Sequence, residues 1–294
     1  MKLKSLAMLT AVVALSGCTL PKSPISNTTP VNPISNPTPV ASGITGNWEL
    51  TLTDTSGGIA PIGIYLTQSG STVSGIAWVQ MAFPMCLGPN GIPCAFPFGV
   101  INPDLTGTID TDGNIVLNST TGGSSPATFS INANTTTDAT LSGTYSITLT
   151  TPLATASDSG TVTGNMIAPL NGTYSGTVVS SYTGLSMGVT TTLNQTTSPD
   201  SRGFFYVTAS ATTFTGSPCF TTATMEGPAS TYSGFLGNSF TVSLVSTSNS
   251  SMYIEELGAV SPDGKTIQFS YGVVNLSGNG CIKDDYGSGT LTLQ

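Results

Sequence analysis

The chain of 294 residues contains no histidine, and charged residues make up only 7% of it. Histidine is the commonest general base and the commonest metal ligand in proteins. No Cys-x-x-Cys spacing occurs, and no histidine is present to activate a serine, so neither a zinc site nor an activated serine is indicated. From these absences we expect a protein that is not an enzyme and that holds no metal and no cofactor.

Basic residues are scarce as well. Six Lys and Arg stand against fourteen Asp and Glu, which gives a formal net charge of −8. No Lys or Arg occurs between Lys22 and Arg202. Nucleic acids and anionic lipid headgroups attract clustered Lys and Arg, so we expect no nucleic-acid partner.

The first residues have the layout of an export signal. A Met-Lys-Leu-Lys start precedes the apolar run 6–15, which is too short to span a bilayer but suits a secretory signal. The motif Leu15-Ser16-Gly17-Cys18 resembles the lipobox of bacterial lipoproteins. The resemblance implies a signal peptide at 1–17, cleavage before Cys18 and diacylation of the Cys18 sulfur. Since Thr19 and not Asp follows, it also implies the outer membrane if the organism is Gram-negative.

A segment rich in Pro, Ser, Thr and Asn follows at 18–43. Its stretch 19–43 has six prolines and no aromatic residue, so it cannot bury enough apolar surface to fold. We expect it to act as a tether between lipidated Cys18 and the folded part of an exported, lipid-anchored protein. The expected partners are the membrane, through the lipid, and either an envelope partner or a small apolar ligand.

The folded part reads as two copies of one pattern. Gly46-Asn47-Trp48 recurs as Gly172-Thr173-Tyr174, and Leu66-Thr67-Gln68 as Leu193-Asn194-Gln195. Further matches in the same order are Tyr145 with Tyr271 and Ser159-Gly160-Thr161 with Ser288-Gly289-Thr290. This collinear repeat predicts two domains, at 44–168 and 169–294.

Within each copy the hydrophobic period is two. Trp48, Leu50 and Leu52 alternate with polar residues, which is typical of antiparallel strands with one buried face. Turn signals such as Pro262-Asp263-Gly264-Lys265 separate the strands. We count about eight strands per copy and predict an all-β protein of two tandem antiparallel β-barrels. The alternative is two β-sandwich domains.

A Gly-x-Trp motif at the start of the first strand, here Gly46-Asn47-Trp48, resembles that of the calycins, the lipocalin and avidin-like barrels. The resemblance implies an inward set of residues that would either hold a small, neutral or amphipathic ligand or simply fill the barrel. The candidate ligand-binding residues in the first copy are Trp48, Leu50, Leu52, Phe96, Phe98, Tyr145 and Ile147.

Four cysteines remain once Cys18 is acylated. Thiols outside the inner membrane are normally oxidised, and one disulfide bond per domain is the simplest arrangement. The sequence therefore predicts the pairs Cys86–Cys94 and Cys219–Cys281.

Two adjacent carboxylates, Glu255 and Glu256, lie in a predicted strand. Neighbours in a strand point to opposite faces, so we do not expect them to act as an acid–base pair. The sequence thus indicates a lipid-anchored envelope lipoprotein with a structural or surface-interaction role. The alternative is a module that binds a small apolar ligand inside a calycin-like barrel.

Overall fold

The computed structural model describes residues 43–81, 99–101, 103–120, 127–137, 139–150, 155–217, 222–225, 234–247, 252–275 and 285–294. In these ranges the regular secondary structure is entirely β. They contain no helix long and apolar enough to span a membrane. The predicted signal peptide, tether and lipidation site lie outside the described residues, as do both predicted disulfide bonds and the candidate residues Phe96 and Phe98.

The first sheet is a closed barrel. Its strands are β1 (Gly46–Asp54), β2 (Ile59–Ser69), β3 (Thr72–Met81), β4 (Gly99–Ile101), β5 (Asp104–Ile109), β6 (Asn114–Thr120), β7 (Ala127–Thr137), β8 (Thr140–Thr150) and β9 (Thr155–Met166). Apart from β4 and β5, which both pair with β3, neighbours along the chain pair antiparallel, and β1 also pairs with β9, which closes the ring. Strands β4 and β5 follow one register along β3, with Val79 opposite Ile101 and Thr72 opposite Thr108. They are therefore two parts of one strand, and the barrel has eight strands.

The second sheet repeats this arrangement. Its strands are β10 (Gly172–Ser180), β11 (Ser186–Gln195), β12 (Val207–Thr215), β13 (Thr222–Met225), β14 (Gly234–Leu236), β15 (Ser239–Ser246), β16 (Met252–Val260), β17 (Thr266–Asn275) and β18 (Tyr286–Leu293). Strand β10 pairs with β18, and β13 and β14 both pair with β15. The fourth strand is again divided in two. The prediction of two antiparallel barrels of about eight strands is confirmed, and the sandwich alternative is wrong because each ring closes on itself.

Each barrel encloses its own hydrophobic core. The first core runs from Ile44 to Val162 and the second from Ile167 to Leu291. In β1, Trp48, Leu50 and Leu52 are buried while the residues between them are half-buried. The alternation arises because successive side chains of a strand point to opposite faces. The two sheets are consistent with the calycin-like fold that the Gly-x-Trp motif predicts.

Side-chain hydrogen bonds repeat along with the strands. The Gln68 side-chain oxygen accepts a hydrogen bond from the backbone N–H of Ile44, at 3.4 Å. The Gln195 oxygen accepts one from the N–H of Leu170, at 2.8 Å. In both barrels, therefore, the second strand holds the chain that enters the first strand, as expected for two copies of one ancestral unit.

One of the sequence matches between the copies is shifted. Gly160 lies opposite Tyr145 across β8 and β9, whereas Gly287 lies opposite Tyr271 across β17 and β18. Gly160 therefore corresponds to Gly287 and not to Gly289. The alternating Gly, Ser and Thr of these last strands allow an alignment shifted by two, which keeps every side chain on the same face.

The barrels touch through the outer face of β1. The Asn47 side chain donates to the carbonyl of Gly237 at 2.8 Å and accepts from its N–H at 2.7 Å. Next to this pair, the Glu49 carboxylate accepts from the N–H of Asn238 at 3.1 Å. The Trp78 ring packs edge-on against Phe204, with centroids 4.9 Å apart. Since both barrels belong to one compact unit, the division into domains at 44–168 and 169–294 stays a prediction.

Candidate functional site

The described candidates of the first barrel lie together in its core. Trp48, Leu50, Leu52, Tyr145 and Ile147 are each 5% exposed or less. The Trp48 indole N–H donates to the carbonyl of Ile44 at 2.9 Å, and the Tyr145 hydroxyl donates to Asp158 at 2.7 Å. This packing satisfies their polar atoms within the protein. Their role in ligand binding stays a prediction.

The interior of the second barrel is more polar. Of the eight buried polar residues in the described ranges, six belong to the second barrel. Polar groups are rarely buried without a reason, because their desolvation must be offset. These six residues are Ser180, Thr191, Thr212, Ser246, Glu256 and Asp285.

The strand registers show which residues of the first barrel correspond to three of these six residues. Tyr145 lies opposite Ile131 across β7 and β8, and Tyr271 lies opposite Glu256 across β16 and β17. Glu256 thus occupies the position of Ile131, and the side chains of both are buried. A carboxyl group in one copy stands where a branched aliphatic side chain stands in the other.

Two more positions differ in the same way. On the second strand of each barrel, the residue opposite the aromatic of the Gly-x-aromatic motif is Ile64 in the first copy and Thr191 in the second. Opposite these on the third strand lie Ala77 and Thr212. All four side chains are completely buried. The second barrel therefore has hydroxyl groups where the first has an apolar pair.

Glu256, Thr191 and Thr212 form what we call the polar layer. The two threonine hydroxyls are 2.8 Å apart. The Glu256 side chain extends from β16 toward Thr212 on β12, three strands away around the ring, where the Thr212 hydroxyl favours the charged form of the carboxyl group. Both carboxyl oxygens are buried and have no hydrogen bond of good geometry to any described residue.

Burial dominates the electrostatics of Glu256. It raises the pKa from its ordinary value of 4.5 to about 8, and the Thr212 hydroxyl opposes that rise only in part. Removing a carboxylate from water disfavours its charged form. The group is therefore mostly neutral at pH 7, when it can both donate and accept a hydrogen bond.

Tyr271, Asp285 and Ser180 form a second hydrogen-bonded group beside this layer. The Tyr271 hydroxyl donates to one oxygen of Asp285 at 2.8 Å, and the Ser180 hydroxyl donates to the other at 2.6 Å. Burial and the nearby carboxylate raise the pKa of Tyr271 well above its usual range, so its proton stays in place. Because Tyr145 and Asp158 form the same contact in the first barrel, we assign this pair a structural role shared by both copies.

The sequence correctly predicted that Glu255 and Glu256 point to opposite faces of their strand. It did not identify Glu256 as a candidate site residue. Glu255 is exposed and Glu256 is buried, as the strand geometry requires. The signal was the position of Glu256 among the inward residues Met252 and Ile254 of the strand MYIEELGAV. An alignment of this strand with β7 of the first copy places Glu256 at the position of Ile131, which indicates a carboxyl group in the core. Among the described residues, no cluster of three or more His, Cys, Asp or Glu could hold a metal ion.

No protein-family model matches the chain, and no curated protein matches it. Among solved structures, it is similar to kievitone hydratase from Nectria haematococca, with 11% identity, a TM-score of 0.24 and coverage of 89% of this chain and 94% of that one. It is also similar to a protein of unknown function of the DUF3598 family from Nostoc punctiforme. That match has 12% identity, a TM-score of 0.25 and coverage of 85% of this chain and 96% of the other.

The prediction that the chain is not an enzyme is contradicted, because the first of these similar structures is that of an enzyme. The reasoning failed at a definite point. The absence of histidine removes one kind of general base, whereas carboxyl groups with raised pKa values also transfer protons. Neither match assigns a reaction, a substrate or a residue to this chain.

Proposed function

We propose that the protein is a lipid-anchored protein of the bacterial cell envelope whose second barrel binds a small molecule in its interior. The observation that carries the proposal is the fully buried carboxyl group of Glu256, whose oxygens have no well-formed hydrogen bond to the described residues. A buried polar group without a partner costs free energy. A ligand that supplies the missing hydrogen bonds would offset this cost.

The first barrel supports this proposal as an internal control. It closes the same ring of eight strands with Ile131, Ile64 and Ala77 at the three positions of the polar layer. The fold therefore does not require polar side chains there. An eight-stranded barrel has room inside for side chains or for one small ligand, so the ligand must be small.

Support for the anchor comes from the sequence. Leu15-Ser16-Gly17-Cys18 has the lipobox pattern, and the Pro-rich segment 18–43 supplies a tether. Several acyl chains on one cysteine would give stable attachment, where a single chain gives only marginal binding. Such a protein would present its barrels at the membrane surface, in the outer membrane if the host is Gram-negative.

Native mass spectrometry tests the binding function. The wild-type protein and a Glu256→Ile variant, which copies the first barrel, are purified from membranes of the native host. We expect a bound small molecule on the wild-type protein and its loss from the variant. The matched control is Glu255→Gln, which changes an exposed neighbour and should retain the ligand. Equal spectra of wild type and Glu256→Ile, with both proteins folded by circular dichroism, would refute the proposal.

A surface-interaction role is the second candidate, and an exposed apolar cluster favours it. Val179, Tyr182, Leu185 and Tyr286 are between 46% and 69% exposed. The N–H of Ser181 donates to the carbonyl of Tyr286 at 2.8 Å, which brings the β10–β11 turn beside the start of β18. Exposed tyrosines are typical of surfaces that contact a partner.

Paired substitutions test this second role. Tyr182→Ser together with Tyr286→Ser should reduce binding of the purified protein to isolated host envelopes, while Ile59→Ser, at an exposed site in the first barrel, should not. Unchanged envelope binding of the double variant would exclude this cluster as the contact surface.

A further inference from the structure

The neighbours of Glu256 determine which chemical group it can bind. Across the strand pairs it faces Val242 on β15 and Tyr271 on β17. The Tyr271 hydroxyl is already bound to Asp285. Thr212 approaches from the far side of the barrel and is itself bound to Thr191. The groups around Glu256 are therefore apolar side chains and hydroxyls.

No cation among the described residues serves Glu256. The described basic residues are Arg202 and Lys265, and both have exposed side chains that pair with acidic neighbours, Asp200 and Asp263. Among the described residues, the influences on the pKa of Glu256 are burial and the Thr212 hydroxyl, and neither is a charge. A carboxyl group in this setting is more stable in its neutral form.

Resting on the function proposed above, we propose that Glu256 pairs as a neutral carboxyl group with a ligand that carries a hydrogen-bond donor and an acceptor side by side, namely a primary amide or a carboxylic acid on a short apolar body. A neutral carboxyl group presents an O–H donor beside a carbonyl acceptor. Its geometric complement is a group of the same kind. Two hydrogen bonds would then satisfy both oxygens that lack partners.

The threonines and the core define the rest of the ligand. Two hydroxyls that share one hydrogen bond leave one hydroxyl hydrogen able to donate to a ligand. Phe214, Val242 and Ile254 lie on the same buried face of β12, β15 and β16, and all three are completely buried and apolar. An alkyl or aryl body matches the apolar character of these side chains, whereas an ammonium group would need a charged carboxylate in a low-dielectric interior.

Binding should depend on pH in a definite direction. The complex needs the O–H of Glu256, which is lost as the pH rises through about 8. The affinity should therefore be constant between pH 5 and 7 and about tenfold lower at pH 9. Glutamine keeps a donor and an acceptor without titrating, so Glu256→Gln should bind an amide with equal affinity at pH 6 and pH 9.

Titration calorimetry on the full chain tests the inference with three probes: hexanamide, hexylamine and methyl hexanoate. We expect one hexanamide per chain at pH 6, binding at least tenfold weaker for the other two probes, and no binding to Glu256→Ile. Glu255→Gln serves as the control for loss of a neighbouring carboxyl group and should bind like wild type.

The outcomes separate this inference from the proposed function. Preference for hexylamine, or hexanamide binding that is unchanged in Glu256→Ile, would overturn the assigned ligand class. Failure of hexanamide to bind the wild-type protein would overturn it as well. A ligand retained by wild type and lost from Glu256→Ile in native mass spectrometry would still support the proposed function in each of these cases.

Discussion

Replacing Glu256 with glutamine removes an ionisable group from the centre of the second barrel with almost no change in shape. In the folded protein the pKa of Glu256 is about 8, against an ordinary value of 4.5. The unfolded chain therefore loses this proton at lower pH than the folded chain does. Stability is fully present below pH 4.5 and is lost as the pH rises toward 8.

The size of the effect follows from the two pKa values. Each pH unit between them lowers the free energy of unfolding by about 1.4 kcal/mol. Glu256 should therefore cost the wild-type protein about 3 kcal/mol at pH 7 and about 5 kcal/mol above pH 8. Glutamine should remove this loss and should differ little from protonated glutamate at pH 4. These values are large against a typical stability of about 5–15 kcal/mol.

Urea unfolding at pH 4, 6, 7 and 9 measures the effect. Far-ultraviolet circular dichroism follows both barrels, because both are built of strands. Tryptophan emission follows the first barrel and its contact with the second, since Trp48 lies in the first core, Trp78 packs against Phe204, and these are the only tryptophans of the chain. We expect the circular dichroism signal to show the increase in the free energy of unfolding of Glu256→Gln at pH 9. Glu255→Gln, with its exposed side chain, should follow the wild-type profile.

Equal pH profiles of the free energy of unfolding for wild type and Glu256→Gln would refute this prediction. If wild type and Glu256→Gln lose stability in parallel between pH 4 and 9, the folded protein does not hold the carboxyl group away from water. A gain for Glu256→Gln at pH 4 as large as that at pH 9 would point to packing and not to ionisation. Either result would contradict the conclusion that Glu256 is a buried and neutral carboxyl group.

Three further predictions concern the contact between the barrels, the lipidation of Cys18 and the disulfide bonds. Burial raises the pKa of Glu49 to about 7 from its ordinary value of 4.5, so Glu49→Gln should add about 3 kcal/mol of stability at pH 9 and little at pH 4, measured by the same unfolding series. Cys18→Ala should abolish lipidation and leave an unprocessed signal, and a processed, membrane-bound variant would contradict the lipobox assignment. Peptide mapping without reductant should find Cys86–Cys94 and Cys219–Cys281, the second closing the longer loop and stabilising more. A link between Cys94 and Cys219 would contradict both pairs.

The strands could be predicted from the sequence because their signal is local. Trp48, Leu50 and Leu52 alternate with polar residues, and the alternation survives as buried and half-buried positions of β1. Ring closure is not local, since the pairing of Leu50 with Gly164 joins residues more than a hundred positions apart. A sandwich strand shows the same alternation, so periodicity alone could not decide between the two architectures.

The contact between the barrels could not be predicted for a related reason. Asn47 lies on the outer face of β1, where a polar residue usually faces water. In the fold it is only 4% exposed and forms two hydrogen bonds with the backbone of Gly237. The sequence of an isolated strand shows which residues face outward, but it does not show which outward residues a second domain will cover.

A comparison of the two barrels distinguishes the contacts that both share from the polar residues that occur in only one. Tyr145 with Asp158 and Tyr271 with Asp285 keep the same hydrogen bond in both barrels, so that contact belongs to the shared architecture.

The polar layer is different, because each of its three residues corresponds to an apolar residue of the first copy and all three lie in one interior. Stability alone disfavours a buried carboxyl group whose ionisation is costly, and Glu256 shares its layer with Thr191 and Thr212. Their convergence on one layer of one barrel is therefore the strongest reason to look for a ligand at Glu256, and the substitution Glu256→Ile restores the apolar alternative that the chain itself provides.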